Sequence, residues 1–348
     1  MFEINVDNAE RYLRDAGRID SNESVKVSEL AGGVSNVVLL VSRREHTDFV
    51  LKQARDQLRV PDPWFCGVER IWREVETLRL CHHALAATSD KAIDVPEILF
   101  EDRDNYAFAM SAAPRHNVWK SQLLAGETDR GVANACGRMM VAIHSQTWND
   151  SATIQQLADT TFFDDLRVDP YYRHVARANP RLDQPISRLI DSLQHHGRCL
   201  VHGDFSPKNL LVHAAGVTLV DCEVGHFGDP AFDIGFFASH LVLKAIRVGA
   251  NFAPYLDLLA AFWQTYAQSM RATVDPSEWH SLARRAVSNL AGCAIARVDG
   301  KSQVDYLSPS QRDQVRACFL PKLIAQGVEF GECLDEIAHE LKQACEIT

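Results

Sequence analysis

The sequence predicts an α+β protein of two lobes. A small N-terminal lobe with an antiparallel sheet plus one helix occupies residues 1–110, a hinge follows at 111–114, and a larger, mostly helical C-terminal lobe fills 115–348. Three observations point that way. Runs with strand periodicity concentrate in the first 110 residues. The segment SAAP at 111–114 then breaks the pattern. Beyond it, apolar residues recur at helical spacing, interrupted mainly around 201–233 by a strand, loop, strand, turn, strand segment. A chain of 348 residues with 46% hydrophobic content can bury two cores, at roughly 150 residues per domain.

The opening stretch, MFEINVDNAERYLRDAG, reads as a helix capped near Asp7 or Asn5. It has acidic residues early and no apolar signal core. At 30–42, LAGGVSNVVLLVS is a glycine turn between two β-patterned runs. Gly32 and Gly33 let the backbone approach phosphates closely and offer amide donors, and Ser35 and Asn36, which complete the turn, join them as candidate cofactor-binding residues. A hairpin turn at 43–48 leads into Phe49, Val50, Leu51 and Lys52, which places one lysine on the third strand, under the glycine turn. Residues 68–80, VERIWREVETLRL, space Val68, Ile71, Trp72, Val75 and Leu78 at helical period. Two strands, 95–100 and 106–110, bring the chain to the break.

In the second lobe, residues 131–147 set Val132, Ala135, Cys136, Met139, Met140 and Ile143 on one stripe, a core face, and His144 near its end reads as a packed structural histidine. Late helices are expected at 255–270, 277–297 and 310–345, the last with Leu334, Ile337, Ala338 and Leu341 on its apolar face.

The segment 201–233, VHGDFSPKNLLVHAAGVTLVDCEVGHFGDPAFD, carries the chemistry. His202, Asp204 and Asn209 meet the pattern HxDxxxxN, and Asp221 follows the apolar run Val217, Leu219, Val220 on the next strand. Transfer of a γ-phosphoryl group needs a carboxylate to orient and deprotonate the attacking hydroxyl and hard oxygen ligands for magnesium. The spacing supplies both. Lys208, immediately before Asn209, can reach a transferring phosphoryl group as a point charge, or stand as a solvated loop lysine.

At these residues the chain resembles the aminoglycoside phosphotransferase and choline kinase superfamily, which has a protein-kinase-like bilobal fold. Gly203 stands where that superfamily has glycine and protein kinases have arginine, and GDPAFDIG at 228–235 is similar to its block after the metal aspartate. The resemblance implies ATP and Mg2+ as cofactors, with Asp204 the catalytic base, Asn209 and Asp221 the magnesium ligands, and Asp233 tying down the catalytic loop. It implies that Lys52 binds the α- and β-phosphates with Glu74 as its partner, Glu76 being the alternative about 200° around the helix. Met110 would precede the hinge, and Ser111 and Ala113 would edge the adenine. Asp221, Cys222 and Glu223 form a DxE sequence similar to small-molecule kinases of the group, so Glu223 is a third metal candidate, or a contact to the acceptor, or a salt bridge near the cleft. A catalytically silent nucleotide-binding protein on the same fold is the other reading, and intact Lys52, Asp204, Asn209 and Asp221 argue against it.

The remaining features exclude more than they assign. A net charge of −10 disfavours nucleic acid as a partner, and no apolar run reaches the ~18 residues of a membrane span. Nine cysteines with no CxxC read as free thiols of a cytoplasmic protein. DGKS at 299–302 lacks the leading glycine of a phosphate loop, because position 295 is Ile295. Arg297 and Lys301 suit an anionic acceptor group, but basic residues gather at helix C-termini in any case. The acceptor itself, a hydroxylated small molecule such as an aminoglycoside, choline or ethanolamine, or methylthioribose, is left open, as is the oligomeric state.

Overall fold

The computed structural model of the chain describes residues 2–30, 36–55, 57, 66–325 and 327–347. Its first lobe runs α1 (Ala9–Asp15), β1 (Val25–Glu29), β2 (Asn36–Arg43), β3 (Phe49–Ala54), α2 (Arg70–Ala86), β4 (Ile93–Asp94), β5 (Ile98–Asp102) and β6 (Ala107–Ser111). Five of the strands form a sheet in the order β1-β2-β3-β6-β5, antiparallel at every step.

Period-two alternation decides what each face of this sheet does. Phe49 and Leu51 pack with Val37, Leu39, Val41, Ala107 and Ala109 beneath Ala9 and Leu13 of α1. Val50 points the other way, into the cluster that contains Ile71, Val75 and Leu78 of α2. Lys52, two residues on, shares that second face, and its backbone lies between Val38 and Phe108 in the ladder. Asn5 starts α1: its Oδ1 accepts from the amides of Asp7 at 3.0 Å and Asn8 at 3.1 Å.

The second lobe begins with β7 (His116–Val118), α3 (Trp119–Leu124), α4 (Arg130–Gln146), α5 (Ser151–Leu157) and α6 (Thr161–Phe163). A π-helical stretch, Asp164–Arg173, leads into α7 (His174–Ala178) and α8 (Asp183–His195). Then come β8 (Cys199–Val201), β9 (Leu210–His213), β10 (Gly216–Leu219) and β11 (His226–Gly228). Four long helices close the chain before its last element: α9 (Ala231–Val248), α10 (Ala253–Met270), α11 (Pro276–Asp299) and α12 (Pro309–Ala325), with α13 (Phe330–Ile347) at the end. Every residue of α9 from Ala231 to Ile246 is buried, so the helix is the axis of this lobe. Among the described residues, no helix is long and apolar enough to cross a membrane.

Two expectations about elements need correction. The strand expected at 95–100 begins at Ile98, because Pro96 has no amide to give a ladder. Just upstream, β4 leaves its own lobe and pairs in parallel with β10, completing a four-stranded sheet β4-β10-β9-β7. The helix expected at 310–345 is two helices. Gly327 between them adopts φ +131, a conformation that side-chain-bearing residues rarely reach.

Candidate active site

The face of β3 that carries Lys52 meets α2 and the end of β10 at a buried ionic knot. Lys52 Nζ lies 2.7 and 2.8 Å from the two carboxylate oxygens of Glu74 and 2.8 Å from Asp221 Oδ1. Glu74 is fully buried, whereas Glu76, the alternative on the same helix, is partly exposed. Burial works against the Lys52 ammonium, but Asp221 and Glu74 outweigh it and raise its pKa. Burial pushes the Glu74 carboxyl up to about 7 against the opposing pull of Lys52. Asp221 is desolvated too, yet Lys52 and Lys208 hold it well below the usual carboxylate range. Its backbone sits at φ 71, a left-handed conformation that costs a non-glycine residue of order 1–3 kcal/mol.

β8 and β9 hold the ends of the loop that carries Asp204. The loop is fixed from below by Asp233, in the first turn of α9, whose Oδ2 accepts from the His202 amide at 2.7 Å and whose Oδ1 accepts from the Gly203 amide at 2.9 Å. His144 of α4 stands behind it, its Nε2 3.5 Å from Asp233 Oδ2 and its Nδ1 2.9 Å from the Tyr266 hydroxyl. His202 is fully buried and its Nδ1 accepts from the Asp204 amide at 3.1 Å, so the ring shapes the loop from inside. Gly203 turns at φ +74, and a Cβ there would lie 2.8 Å from Val224 Cγ2 and 3.0 Å from Val224 O. Both the conformation and the space therefore demand glycine.

The Asp204 carboxylate is gripped on both sides. Asn209 Nδ2 donates to Oδ2 at 2.8 Å, Lys208 Nζ lies 2.8 Å from the same oxygen, and Arg167 Nη2 lies 3.0 Å from Oδ1. Burial alone would raise its pKa, but Arg167 and then Lys208 hold it below the ordinary value. Arg167 escaped the sequence reading. It comes from the π-helical stretch, where its Nε also donates to Gly203 O at 2.7 Å. A π-turn is a frequent companion of functional sites, but here an internal proline, Pro170, disguises it in the sequence as a helix break.

Glu223 forms a salt bridge with Arg70 of α2, Oε2 to Nε 3.2 Å, and accepts from Asn36 Nδ2 at 3.1 Å. Asn36 thus joins the buried Glu223 and Arg70 pair, while Gly32, Gly33 and Ser35 lie outside the described residues. Met110 is buried between β3 and β5, opposite Val50 and Ile98. Ser111 ends β6, its amide donating to Glu97 O at 2.8 Å, and Ala113 follows half-buried. Arg297 of α11 donates to the Tyr171 hydroxyl at 3.2 Å and to Ser302 Oγ at 2.8 Å, and Lys301 is exposed.

The donor set fits a magnesium ion. Asp221 engages Oδ1 with Lys52 and Asn209 engages its amide nitrogen with Asp204, and among the described residues no hydrogen bond takes Asp221 Oδ2 or Asn209 Oδ1. Magnesium among phosphates takes only one or two protein oxygens and keeps its waters.

The family described as "Phosphotransferase enzyme family" matches residues 26–272. The methylthioribose kinase of Escherichia coli O45:K1 (strain S88 / ExPEC) is 26% identical over 249 residues, 64% of this chain and 58% of that protein. The methylthioribose kinase of Pectobacterium carotovorum subsp. carotovorum (strain PC1) is 22% identical over 311 residues, 78% of this chain and 75% of that one. The chain therefore spans somewhat over half the length of the first relative and three quarters of the second. Among solved structures, an amicoumacin kinase in complex with AMP-PNP, Ca2+ and Ami superposes with a TM-score of 0.54 at 13% identity, over 97% of each chain. Plasmodium vivax ethanolamine kinase gives 0.52 at 10% identity, over 99% of this chain and 95% of that one. At those identities the likeness is one of fold.

Proposed function

The chain belongs to the phosphotransferase enzyme family, and on that premise we propose that it is an ATP-dependent small-molecule kinase. It moves the γ-phosphoryl group of ATP to a hydroxyl of a small acceptor. One observation carries this reading: a buried carboxylate, Asp204, held by Asn209, Lys208 and Arg167 beside the Lys52, Glu74 and Asp221 knot. The names of the methylthioribose kinases and of the ethanolamine and amicoumacin kinases support a small-molecule acceptor.

Asp204 orients the acceptor hydroxyl and takes its proton as the acceptor oxygen bonds to the γ-phosphorus and the bond to the β,γ-bridging oxygen breaks, releasing ADP. Arg167 and Lys208 keep Asp204 ionised before the transfer, and Lys208 neutralises charge on the moving phosphoryl group. Lys52, oriented by Glu74, holds the α- and β-phosphates. Asp221 and Asn209 would hold a magnesium ion, which when bound would neutralise further phosphate charge. Glu223 serves as a strut between Arg70 and Asn36. Met110, Ser111 and Ala113 border the adenine. All nine cysteines are free thiols, which supports a cytoplasmic setting, and the net charge of −10 supports a partner other than nucleic acid.

The test is ADP release measured across a panel of hydroxylated metabolites, wild type against Asp204→Asn. Turnover with at least one acceptor that Asp204→Asn loses is the expected result. ATP binding with no transfer to any acceptor would make the chain a silent nucleotide-binding protein.

A further inference from the structure

Among the described residues, every buried lysine and arginine but one has a carboxylate beside it. Lys52 has Glu74 and Asp221, Arg70 has Glu223, Arg285 has Asp229 and Glu278, and Lys322 has Glu340. Lys244 on α9 is 1% exposed and has none. Its ammonium donates to the His240 carbonyl one turn back at 3.1 Å and faces the Tyr306 ring at 5.5 Å. The charges that act on it are those of Lys120, Arg297 and Arg247, all of its own sign, and with burial they push its pKa down to about 7. Among the described residues, none of these four cations forms an ion pair with a carboxylate. Asp305, next to Tyr306, is the nearby acid, and it is exposed.

Unanswered polar atoms collect at the same place. His240 is 8% exposed and, among the described residues, its buried Nε2 has no hydrogen-bond partner, nor do Tyr306 Oη and Arg297 Nε. Burying such atoms and an ammonium without partners is unfavourable in a folded chain. The cluster is also linked to Asp204 through Phe236 and Arg167. The Phe236 ring lies 4.9 Å from the His240 ring, the Arg167 guanidinium sits 5.7 Å from the Phe236 ring, and Arg167 holds Asp204.

We propose that this cationic cluster is the acceptor-binding wall, and that the acceptor alcohol carries an oxyanion, a carboxylate or a phosphate, received by Lys244, His240, Arg297 and Tyr306 while its hydroxyl meets Asp204. The inference rests on the kinase reading above and narrows its substrate class. The bound anion would complete the set of pairs that the protein makes everywhere else.

Two measurements test it separately from the kinase reading. With the nucleotide site filled by Mg-AMP-PNP, acetate and inorganic phosphate are titrated at constant ionic strength into wild type, Lys244→Met and Lys120→Gln, and the thermal midpoint is followed. Wild type is stabilised by one or both anions, and the two variants lose most of that response. Lys244→Met should itself melt higher than wild type without anion, because it removes an unpaired buried charge, whereas a structural lysine would melt lower when removed. Which anion acts distinguishes a carboxylate acceptor from a phosphorylated one. In the second measurement, matched acceptors (gluconate, glucose 6-phosphate, glucose and choline) are compared in coupled turnover, and Lys244→Met should raise KM for the acidic ones by about tenfold or more. Anion responses equal in wild type and Lys244→Met would overturn the assignment, as would turnover of glucose or choline with a KM that Lys244→Met leaves alone. A Lys244-dependent anion response without turnover on any acceptor would uphold the site and remove the kinase reading.

Discussion

Arg167 Nη2 rests 3.0 Å from Asp204 Oδ1, and the same side chain donates to the carbonyl of Gly203, so one guanidinium fixes both the charge and the backbone of the loop that carries Asp204. Removing the guanidinium takes away the largest influence holding the Asp204 pKa down. For an acid, loss of a cationic neighbour moves the pKa upward, so in Arg167→Gln the acidic limb of the turnover profile should shift to higher pH. A pH-rate profile checks this. An unmoved limb with reduced turnover would mean that Arg167 acts only through the Gly203 carbonyl.

Lys52→Ala should bind Mg-ATP about tenfold more weakly, a loss of roughly 1.4 kcal/mol, because the phosphates lose their side-chain counter-ion. Calorimetry measures it directly. Equal affinity would place the nucleotide elsewhere.

Asp221→Ala should abolish transfer and make nucleotide binding independent of magnesium, since Asn209 alone remains as a protein ligand. Asp221→Asn is the companion variant, because Asn tolerates the φ of 71 as Asp does and keeps the turn intact. Normal transfer by either variant would defeat the metal assignment.

Asp204→Asn should lower turnover by about 10² to 10⁴ while ATP affinity stays within about threefold. On the proposed roles the carboxylate would face the acceptor while other groups hold the phosphates. A joint loss of turnover and ATP binding would instead indicate a damaged loop.

His226 reports on stability at low pH. Its ring is buried, stacked on Phe163 at 4.0 Å, with Nδ1 bonded to the Val224 carbonyl at 3.1 Å, and burial lowers its pKa from 6.5 to about 4. Below pH 6.5 the unfolded chain takes up a proton that the native state refuses, so stability falls as the pH drops from about 6.5 toward 4. The loss approaches about 3 kcal/mol. Urea unfolding between pH 7 and 4.5 should show it, and His226→Phe should flatten that slope. Parallel slopes in the two proteins would assign the acid sensitivity to other groups.

What the sequence discloses here is what lies close together along the chain. His202, Asp204 and Asn209 fall within one loop, and strand alternation alone sends Lys52 to the side of β3 that faces Glu74. Long-range choices are hidden. The parallel pairing of β4 with β10 involves two residues on each strand, too short a run for periodicity to mark. Arg167 reaches Asp204 from a stretch whose proline mimics a helix end, and Lys244, Lys120 and Arg297 come together from three separate helices. Gly327 could have divided the last helix on paper, since an isolated glycine there competes with an otherwise continuous apolar stripe.

Asp233 and the groups at His240 and Lys244 stand on one uninterrupted helix. From Asp233 to His240 the rise along α9 is about 10 Å, at 1.5 Å per residue, and the helix is buried on all sides, so nothing lets it stretch. The residue that bolts the Asp204 loop and the residues that would receive the acceptor's anion are thus graduations on a single rod. If the proposed acceptor site holds, the distance between a reacting hydroxyl and its oxyanion would be gauged by that rod, and hydroxy acids of one charge but different lengths should be sorted by it.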